Sequence, residues 1–414
     1  MGKGRSLTAI YSCVQAPFWM SLCIFSGFCA VYLQSLGYSN AELGIVLACG
    51  TLLGSLLGPW LSSAIDRSTE DRITASTVMP PVLAAEAAAL IVLMFMSGKG
   101  VVTSAAYAMF IGLSTSVNSL NLRLYTDGVY CGYEIDYGIA RSMGSIGYVV
   151  TSFIAGLLCE HISPRIVPAA GLVICIAQYI SFRRYSRYLT EEFPGAGYRA
   201  DDIKGEENTA DAESTGNAAG REALPMWQFL LSNRRFCMIL AGTVLMFFAH
   251  NTLCNFFINV VRNAGGNTGD MGMLNGLMAL FETPVIFFYS RLTHRWKTSS
   301  VLRFAFLMFT VKAAALAAAA SVGQLAAALL LQAPSFGLYT GGIVVYVNHT
   351  ISHEDSGKAQ SLAFTMTMLS NVFASTISGH LYDTIPVSSV MWIAAAVSLA
   401  GSILAVMGVK TTKI

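Results

Sequence analysis

The chain has 414 residues, of which 54% are hydrophobic and 12% charged, with a net charge of +2. Average soluble domains carry about 25% charged residues, so this composition excludes an ordinary soluble enzyme and a disordered chain. It also excludes a nucleic-acid-binding protein, because a nearly neutral chain lacks a basic face with which to neutralise phosphates. The composition therefore predicts a protein that crosses a lipid bilayer several times.

Apolar segments long enough to cross a bilayer recur along the whole chain. A transmembrane helix needs about 20 predominantly apolar residues. The sequence contains twelve such runs, which lie near 10–34, 43–65, 74–97, 101–122, 138–160, 166–182, 236–260, 271–290, 299–320, 323–347, 359–382 and 387–408. We therefore predict an all-α polytopic membrane protein whose spans are numbered 1 to 12 in chain order. The first run is too long for a secretory signal peptide, so none is expected.

Lys and Arg are distributed unevenly between the predicted loops. If the N-terminus is cytoplasmic, the outer loops contain only Lys99, Arg165 and Arg262, whereas the inner loops are rich in basic residues. An excess of Lys and Arg marks the cytoplasmic loops of membrane proteins. We therefore predict an integral protein of the plasma (inner) membrane with both termini in the cytoplasm.

Residues 188–232 interrupt the apolar pattern with a polar, acidic stretch that contains Gly, Asn and Ala. This composition is typical of a flexible linker, and a plain tether is favoured over a regulatory segment. The chain is thus predicted to divide into an N-terminal six-helix bundle (1–187), a cytoplasmic linker (188–232) and a C-terminal six-helix bundle (233–414).

The two predicted bundles carry related sequence patterns. A constant offset of 223 residues relates Ser152, Ile154, Gly156, Leu158 and Ile162 of span 5 to Ser375, Ile377, Gly379, Leu381 and Ile385 of span 11. The same offset places Glu160 on Asp383, and Pro59 and Pro284 are offset by 225 residues. Two such units related by an axis normal to the membrane leave a cavity between them, and rocking of the units exposes it to each side in turn.

Five ionisable residues lie inside the predicted spans: Glu86, Arg141, His250, Glu282 and Lys312. A charge at the bilayer centre costs about 2.5–3.5 kcal/mol on insertion scales, so such residues usually face a protein interior or a cavity. Glu282 and Lys312 form either a structural ion pair or a proton site that Lys312 regulates. Arg141 either binds a solute through its fork of donors or extends to the membrane surface. For Glu86 a structural role is favoured.

Polar side chains also recur at helical spacing within several spans. They are Asn251, Asn255 and Asn259 in span 7, Gln332 and Ser335 in span 10, and Asn118 and Asn121 in span 4. Amide and hydroxyl groups in a bilayer must face protein or water, so each stripe marks an inward face that contacts either the solute or another helix. The aromatic residues Phe18 and Trp19 of span 1 are expected to face lipid or to pack.

The end of span 2 has the pattern of a gate rather than of a binding site. Gly58 permits close contact with a neighbouring helix. Asp66 can cap or pair across the ends of neighbouring helices, and Arg67 follows it directly. We therefore predict a gating role for these three residues.

Several of these segments resemble a known family. The glycine-to-Asp-Arg pattern after span 2 resembles a loop motif of the major facilitator superfamily. The segment YGIARSMGSIGY (137–148) resembles span 5 of the oligosaccharide:proton symporter, or lactose permease-like, branch. GLMALFETPVIFF in span 8 is similar to a permease segment whose glutamate joins substrate and proton handling, and Asn255-Phe256-Phe257 match an NFF in span 7.

The resemblance implies roles for individual residues. Arg141 falls on the family's sugar-binding arginine, and Tyr148 on a stacking tryptophan. Glu282 falls on the span 8 glutamate, and Lys312 on an arginine of span 9. The resemblance implies the fold of the superfamily, with two pseudo-symmetric six-helix bundles and transport by alternating access.

Departures from the permease pattern concern the proton relay and the substrate. Gln332 and Ser335 stand where the permease has a histidine and a proton-carrying glutamate, and His250 replaces an aspartate. Neither lactose as the substrate nor an unchanged relay is therefore expected.

The predicted protein is a proton-coupled secondary transporter that imports a small polar organic solute, such as a sugar, glycoside or nucleoside. The predicted solute ligands are Arg141, Tyr148, Asn118, Asn251, Asn255, Gln332 and Ser335, and the predicted proton-coupling residues are Glu282, His250 and Lys312. A monomer with no cofactor or metal besides the coupling proton is expected. An efflux antiporter for amphipathic compounds and an uncoupled facilitator remain alternatives. An enzyme is not expected, because the sequence has no HExxH, GxSxG or ATP-binding motif.

Overall fold

The structure is a computed structural model of the chain. It describes residues 2–67, 74–130, 135–192, 225–289, 292 and 295–410. Within these ranges the secondary structure is helical, and the helices overlap the twelve predicted spans, apart from a short helix at Met226–Ser232. Ten of the spans are long and apolar enough to cross a membrane, and the other two, spans 8 and 11, are more polar.

The helices of the first six spans are Gly2–Leu22, Cys23–Gly27 and Cys29–Ser35 (span 1), Asn40–Asp66 (span 2), Ala75–Phe95 (span 3), Val101–Tyr130 (span 4), Tyr137–His161 (span 5), and Pro164–Ile166 with Val167–Glu192 (span 6). Those of the last six are Arg234–Asn255 with Phe257–Asn263 (span 7), Thr268–Phe287 (span 8), Thr298–Ala318 (span 9), Val322–Leu329, Leu330–Gln332, Ala333–Gly337 and Leu338–Thr350 (span 10), His353–Thr384 (span 11) and Val387–Gly408 (span 12).

Corresponding helix pairs pack against each other in both halves of the molecule. Spans 1 and 5 pack together as spans 7 and 11 do, and spans 3 and 6 as spans 9 and 12 do. Spans 1 and 7 are both interrupted, at Phe28 and Phe256 respectively. The prediction of two pseudo-symmetric six-helix bundles is therefore confirmed.

The stretch predicted as a linker is helical at both edges. Span 6 continues to Glu192, and a short helix, Met226–Ser232, precedes span 7. The intervening residues 193–224 lie outside the described residues, so the tether and the domain boundaries stay predictions.

Equivalent capping arrangements begin spans 2 and 8. Ser39 Oγ accepts a hydrogen bond from the backbone N–H of Glu42, whose carboxylate accepts one from the backbone of Ser39. Asn267 and Asp270 exchange the same pair of bonds at the start of span 8. Reciprocal caps satisfy backbone donors that a helix leaves unpaired in its first turn. Local side chains thus cap the starts of both interface helices.

The two halves approach most closely at the end formed by the connections between spans 1–2, 5–6, 7–8 and 11–12, which we call the closed end. Span 5 packs on span 8 there, and span 2 packs on span 11. A Cβ atom at Gly156 would lie 2.8 Å from the Cα atom of Gly272. Glycine lets two helix backbones approach this closely. The closed end is therefore tightly sealed between the halves.

Candidate functional site

Arg141 is held in place by an aromatic side chain and a hydroxyl group. Its Nη1 atom donates a 2.9 Å hydrogen bond to Ser145 Oγ. Its Cζ atom lies 3.5 Å from the ring centroid of Trp19, which is the geometry of a cation–π contact. Gly144 contacts the same indole, and any side chain at this position would collide with it. Span 5 therefore has a glycine at the point where the indole of Trp19 in span 1 packs against it.

A chain of hydrogen bonds fixes the indole that supports Arg141. Trp19 Nε1 donates to Gln15 Oε1 at 3.3 Å, and Gln15 Nε2 donates to the hydroxyl of Tyr11 at 2.6 Å. That hydroxyl donates in turn to the backbone carbonyl of Asn121 in span 4 at 3.0 Å. Three spans of the N-terminal half therefore determine the position of the guanidinium.

Trp19 was not among the predicted site residues, because an aromatic residue in a span usually faces lipid or packs. The available signal was Gly144, a small residue three positions after Arg141 in a helix that packs against span 1. The sequence alone does not say which residue of span 1 fills the space above that glycine.

Four predicted residues meet in one network within the C-terminal half. Gln332 Nε2 donates a 2.9 Å hydrogen bond to Glu282 Oε2. The ammonium group of Lys312 donates to Gln332 Oε1 at 2.9 Å and lies 3.2 Å from His250 Nδ1. An ammonium group only donates, so Nδ1 must accept, and the imidazole is neutral in this arrangement. The network contains a carboxylate, an amide, an ammonium and an imidazole, contributed by spans 8, 10, 9 and 7.

The two parts of the site face each other across the interface between the halves. The hydroxyl of Tyr148 donates to Asn275 Oδ1 at 3.3 Å. Arg141 lies seven residues before Tyr148 in span 5, and Glu282 lies seven residues after Asn275 in span 8, so each pair shares one helix face. Because the two spans run antiparallel, Arg141 and Glu282 are brought to the same level on the faces of spans 5 and 8 that pack together.

Asn275 is a second residue that sequence analysis missed. It lies in span 8 on the same face as Glu282, and this seven-residue spacing was the signal that could have found it. Its side-chain nitrogen also approaches Gly27, where an added Cβ would lie 2.7 Å away. Asn275 therefore contacts both spans 1 and 5 of the opposite half.

Two predicted solute ligands make hydrogen bonds to other protein groups, and their role as ligands stays a prediction. Asn255 Nδ2 donates to Asn371 Oδ1 at 2.8 Å and to Ser375 Oγ at 2.9 Å, which ties span 7 to span 11. Ser335 is fully buried, and its hydroxyl donates to the carbonyl of Leu331 in its own span at 2.6 Å. Polar stripes at helical spacing mark the inward face of a span, and these two members contact protein on that face.

The remaining predicted residues lie outside the network. Asn118 is exposed, and Asn251 is half-buried with no partner for its Nδ2 atom among the described residues. Gly58 packs within the N-terminal half, where an added Cβ would lie 3.0 Å from Ser119 Oγ. Arg67 is exposed. The side chain of Asp66 lies outside the described residues, and the gating role stays a prediction.

The comparisons with known proteins agree with this architecture. A sequence profile of the MFS_1-like family matches residues 18–393, and the chain therefore belongs to this family. It is a secondary transporter of small solutes and an integral membrane protein, not an enzyme. The predicted membership of the major facilitator superfamily is confirmed, and the lactose permease-like branch stays a prediction.

Two solved structures share the fold over almost the whole chain. The crystal structure of the nucleoside transporter NupG superposes with a TM-score of 0.73 at 15% sequence identity and covers 100% of both chains. A single-residue mutant of NupG gives a TM-score of 0.70 at 15% identity over 98% of this chain and 99% of that one. At this identity the likeness shows the fold alone. No curated protein sequence matches the chain.

Proposed function

We propose that the protein is a proton-coupled symporter that imports a small polar organic solute, namely a nucleoside, sugar or glycoside. One observation carries this proposal. The carboxylate of Glu282 lies at the interface between the halves, opposite Arg141, and is hydrogen-bonded into a buried network with Gln332 and Lys312. A carboxylate in that position can reach both the solute and the coupling proton.

The N-terminal half supplies the solute-binding groups of this proposal. Arg141 offers a rigid fork of donors that suits vicinal hydroxyls, and Trp19 and Ser145 hold that fork in one orientation. Pre-organised donors bind with a smaller loss of side-chain entropy. Because a nucleoside transporter shares this fold, nucleosides are the first solutes to test.

The C-terminal half supplies the proton site. Glu282 binds the proton together with the solute and releases it with the solute on the other side of the membrane. A proton that moves down a potential of about 100 mV supplies about 2.3 kcal/mol, to which a pH gradient adds. His250 acts through Lys312, which lies between it and Gln332.

The distribution of Lys and Arg supports an outward orientation of the closed end, with both termini in the cytoplasm. The closed end then seals the outer entrance in the conformation described here. Import requires that this seal opens when the proton and the solute have left.

Reconstituted vesicles with an imposed inward proton gradient test the proposal. The wild-type protein should accumulate labelled nucleoside or sugar, and a protonophore should abolish accumulation. Glu282→Gln should keep solute exchange without a gradient and lose gradient-driven accumulation. Glu354→Gln, which changes an exposed carboxylate of the same half, should behave as the wild type.

Other results would point to the alternatives. Uptake that ignores a protonophore, with Glu282→Gln unchanged, would indicate an uncoupled facilitator. Exclusion of amphipathic compounds from whole cells, without uptake of polar solutes, would indicate an efflux antiporter.

A further inference from the structure

Both polar atoms of the Gln332 amide are hydrogen-bonded to protein groups of opposite charge. Only 1% of this residue is exposed. Its oxygen accepts a 2.9 Å hydrogen bond from the Lys312 ammonium, and its nitrogen donates one of the same length to Glu282. Lys312 has no acceptor, so the amide oxygen must face it and the amide nitrogen must face Glu282. Gln332 therefore has one fixed orientation, and because it is buried it presents no exposed polar surface to a solute.

The same geometry separates two charges that would otherwise attract each other strongly. Between the ammonium and the carboxylate lie two hydrogen bonds and the amide group itself. In a low-dielectric interior, direct contact of two opposite charges strongly favours the ionised forms of both groups. A carboxylate in such contact would remain ionised at working pH and therefore could not carry a proton.

The other groups around Glu282 do not supply this separation. Arg141 of span 5 is the second cation whose charge reaches it, and Tyr148 and Cys254 are further titratable neighbours. His250 contacts Lys312 rather than Glu282. Of the described residues, Gln332 is the one that hydrogen-bonds to both Glu282 and Lys312.

We propose that Gln332 is a positioning residue that keeps the Lys312 ammonium away from the Glu282 carboxylate, so that Glu282 can take up and release the coupling proton. This inference rests on the proposed function and reassigns a residue predicted to bind the solute. An amide suits the task because it hydrogen-bonds to both charges and does not itself titrate.

Two substitutions separate the role of Gln332 as a spacer from its role as a hydrogen-bond partner. Gln332→Ala removes the side chain, so that Lys312 can approach Glu282. Gln332→Met keeps an unbranched side chain of similar length and removes only the polar atoms. In vesicles, the pH midpoint of coupled transport should move toward acid by about one unit or more in Gln332→Ala. It should not move toward acid in Gln332→Met, because the spacer remains and Glu282 has lost a donor that favours the carboxylate.

A double substitution identifies the cation responsible. Lys312→Gln in the Gln332→Ala background should remove the acid shift, because the approaching charge is gone. Thermal unfolding in detergent establishes that each variant is folded, and Gln332→Ser replaces Gln332→Ala if the alanine variant does not fold. Solute affinity at a pH below the midpoint should stay within about three-fold of wild type, since Gln332 does not contact the solute.

The outcomes that overturn the inference differ from those that overturn the proposed function. If Glu282→Gln uncouples transport but Gln332→Ala keeps the wild-type pH midpoint, the spacer role is wrong and the proton site stands. An acid shift of equal size in Gln332→Ala and Gln332→Met also overturns it. If Glu282→Gln remains coupled, the proton site itself is wrong and the inference falls with it.

Discussion

The carboxylate of Asp383, in the last turn of span 11, accepts hydrogen bonds from the backbone N–H groups of Asn40 and Ala41 at 3.0 and 2.8 Å. These two residues begin span 2, which belongs to the opposite half. Glu160, in the last turn of span 5, accepts a 3.1 Å bond from the backbone of Thr268 at the start of span 8. Each carboxylate thus lies at the positive end of a helix from the other half, where negative charge is stabilised. The two contacts are therefore equivalent under the pseudo-symmetry that relates the bundles.

We expect Asp383→Ala to weaken the closed end. Loss of a side-chain cap costs about 1 kcal/mol, which corresponds to roughly a five-fold change in the equilibrium between closed and open forms. Because Ser39 still caps span 2 locally, the helix itself should persist. Spin-label distances across the closed end should show a larger open population than in the wild type.

Glu42→Ala is the matched control for this experiment. Glu42 accepts hydrogen bonds from Ser39 and Lys99, which lie in its own half. Its loss should therefore reduce stability without a change in the open population. Equal populations in Asp383→Ala and the wild type would contradict a clamp between the halves.

Gly272→Ala should also oppose closure, through sterics rather than charge. An added Cβ would lie 2.5 Å from the carbonyl oxygen of Ser152 and 2.7 Å from the Cα atom of Gly156. Spans 5 and 8 must then move apart, so alanine should raise the open population and slow transport. Gly323→Ala is the control, since no atom of the described residues lies within 4 Å of its added Cβ. If transport rates in the two variants are the same, the close contact has no role in closure.

Trp19→Leu should weaken solute binding through Arg141. A partly buried cation–π contact contributes about 0.5–2 kcal/mol, so its loss should raise the solute Kd by roughly 2- to 30-fold. Trp19→Phe keeps an aromatic face and should recover most of the affinity. Trp60→Leu removes an exposed indole and should leave the Kd unchanged. Unaltered binding in Trp19→Leu would show that the guanidinium does not need this support.

Asn255→Ala should destabilise the C-terminal half and leave solute affinity unchanged. Its Nδ2 atom makes two hydrogen bonds to span 11, and interhelical hydrogen bonds in membranes contribute about 0.6 kcal/mol each. The expected loss of stability is therefore about 1 kcal/mol, measured by thermal unfolding in detergent. A selective loss of solute affinity at unchanged stability would support the predicted ligand role of Asn255.

The arrangement of the closed end was partly visible in the sequence. The 223-residue offset relates Glu160 to Asp383, and both residues prove to bind the start of a helix in the opposite half. Ser39 and Asn267 mark the starts of those helices through local capping patterns. Capping patterns join residues that are close neighbours along the chain, so they can be recognised without knowledge of the tertiary structure.

The candidate site depended on contacts that no local pattern contains. Helical spacing identified the inward faces of spans 7 and 10, but it did not separate Asn255, which binds span 11, from His250, which meets Lys312. For the same reason, helical spacing did not predict the contact of Trp19 with Arg141. Periodicity specifies which face of a helix turns inward, whereas the partner on that face depends on the rotation and depth of a different helix.

The sequence by itself determined the helical spans and the short list of costly ionisable residues within them, because length and apolarity act segment by segment. Only the tertiary structure decided that an uncharged amide separates Lys312 from Glu282 and that Arg141 lies opposite that carboxylate. These relationships arise when spans 5, 8, 9 and 10, which come from both halves, pack together. Their geometry is set by the whole bundle rather than by any single span.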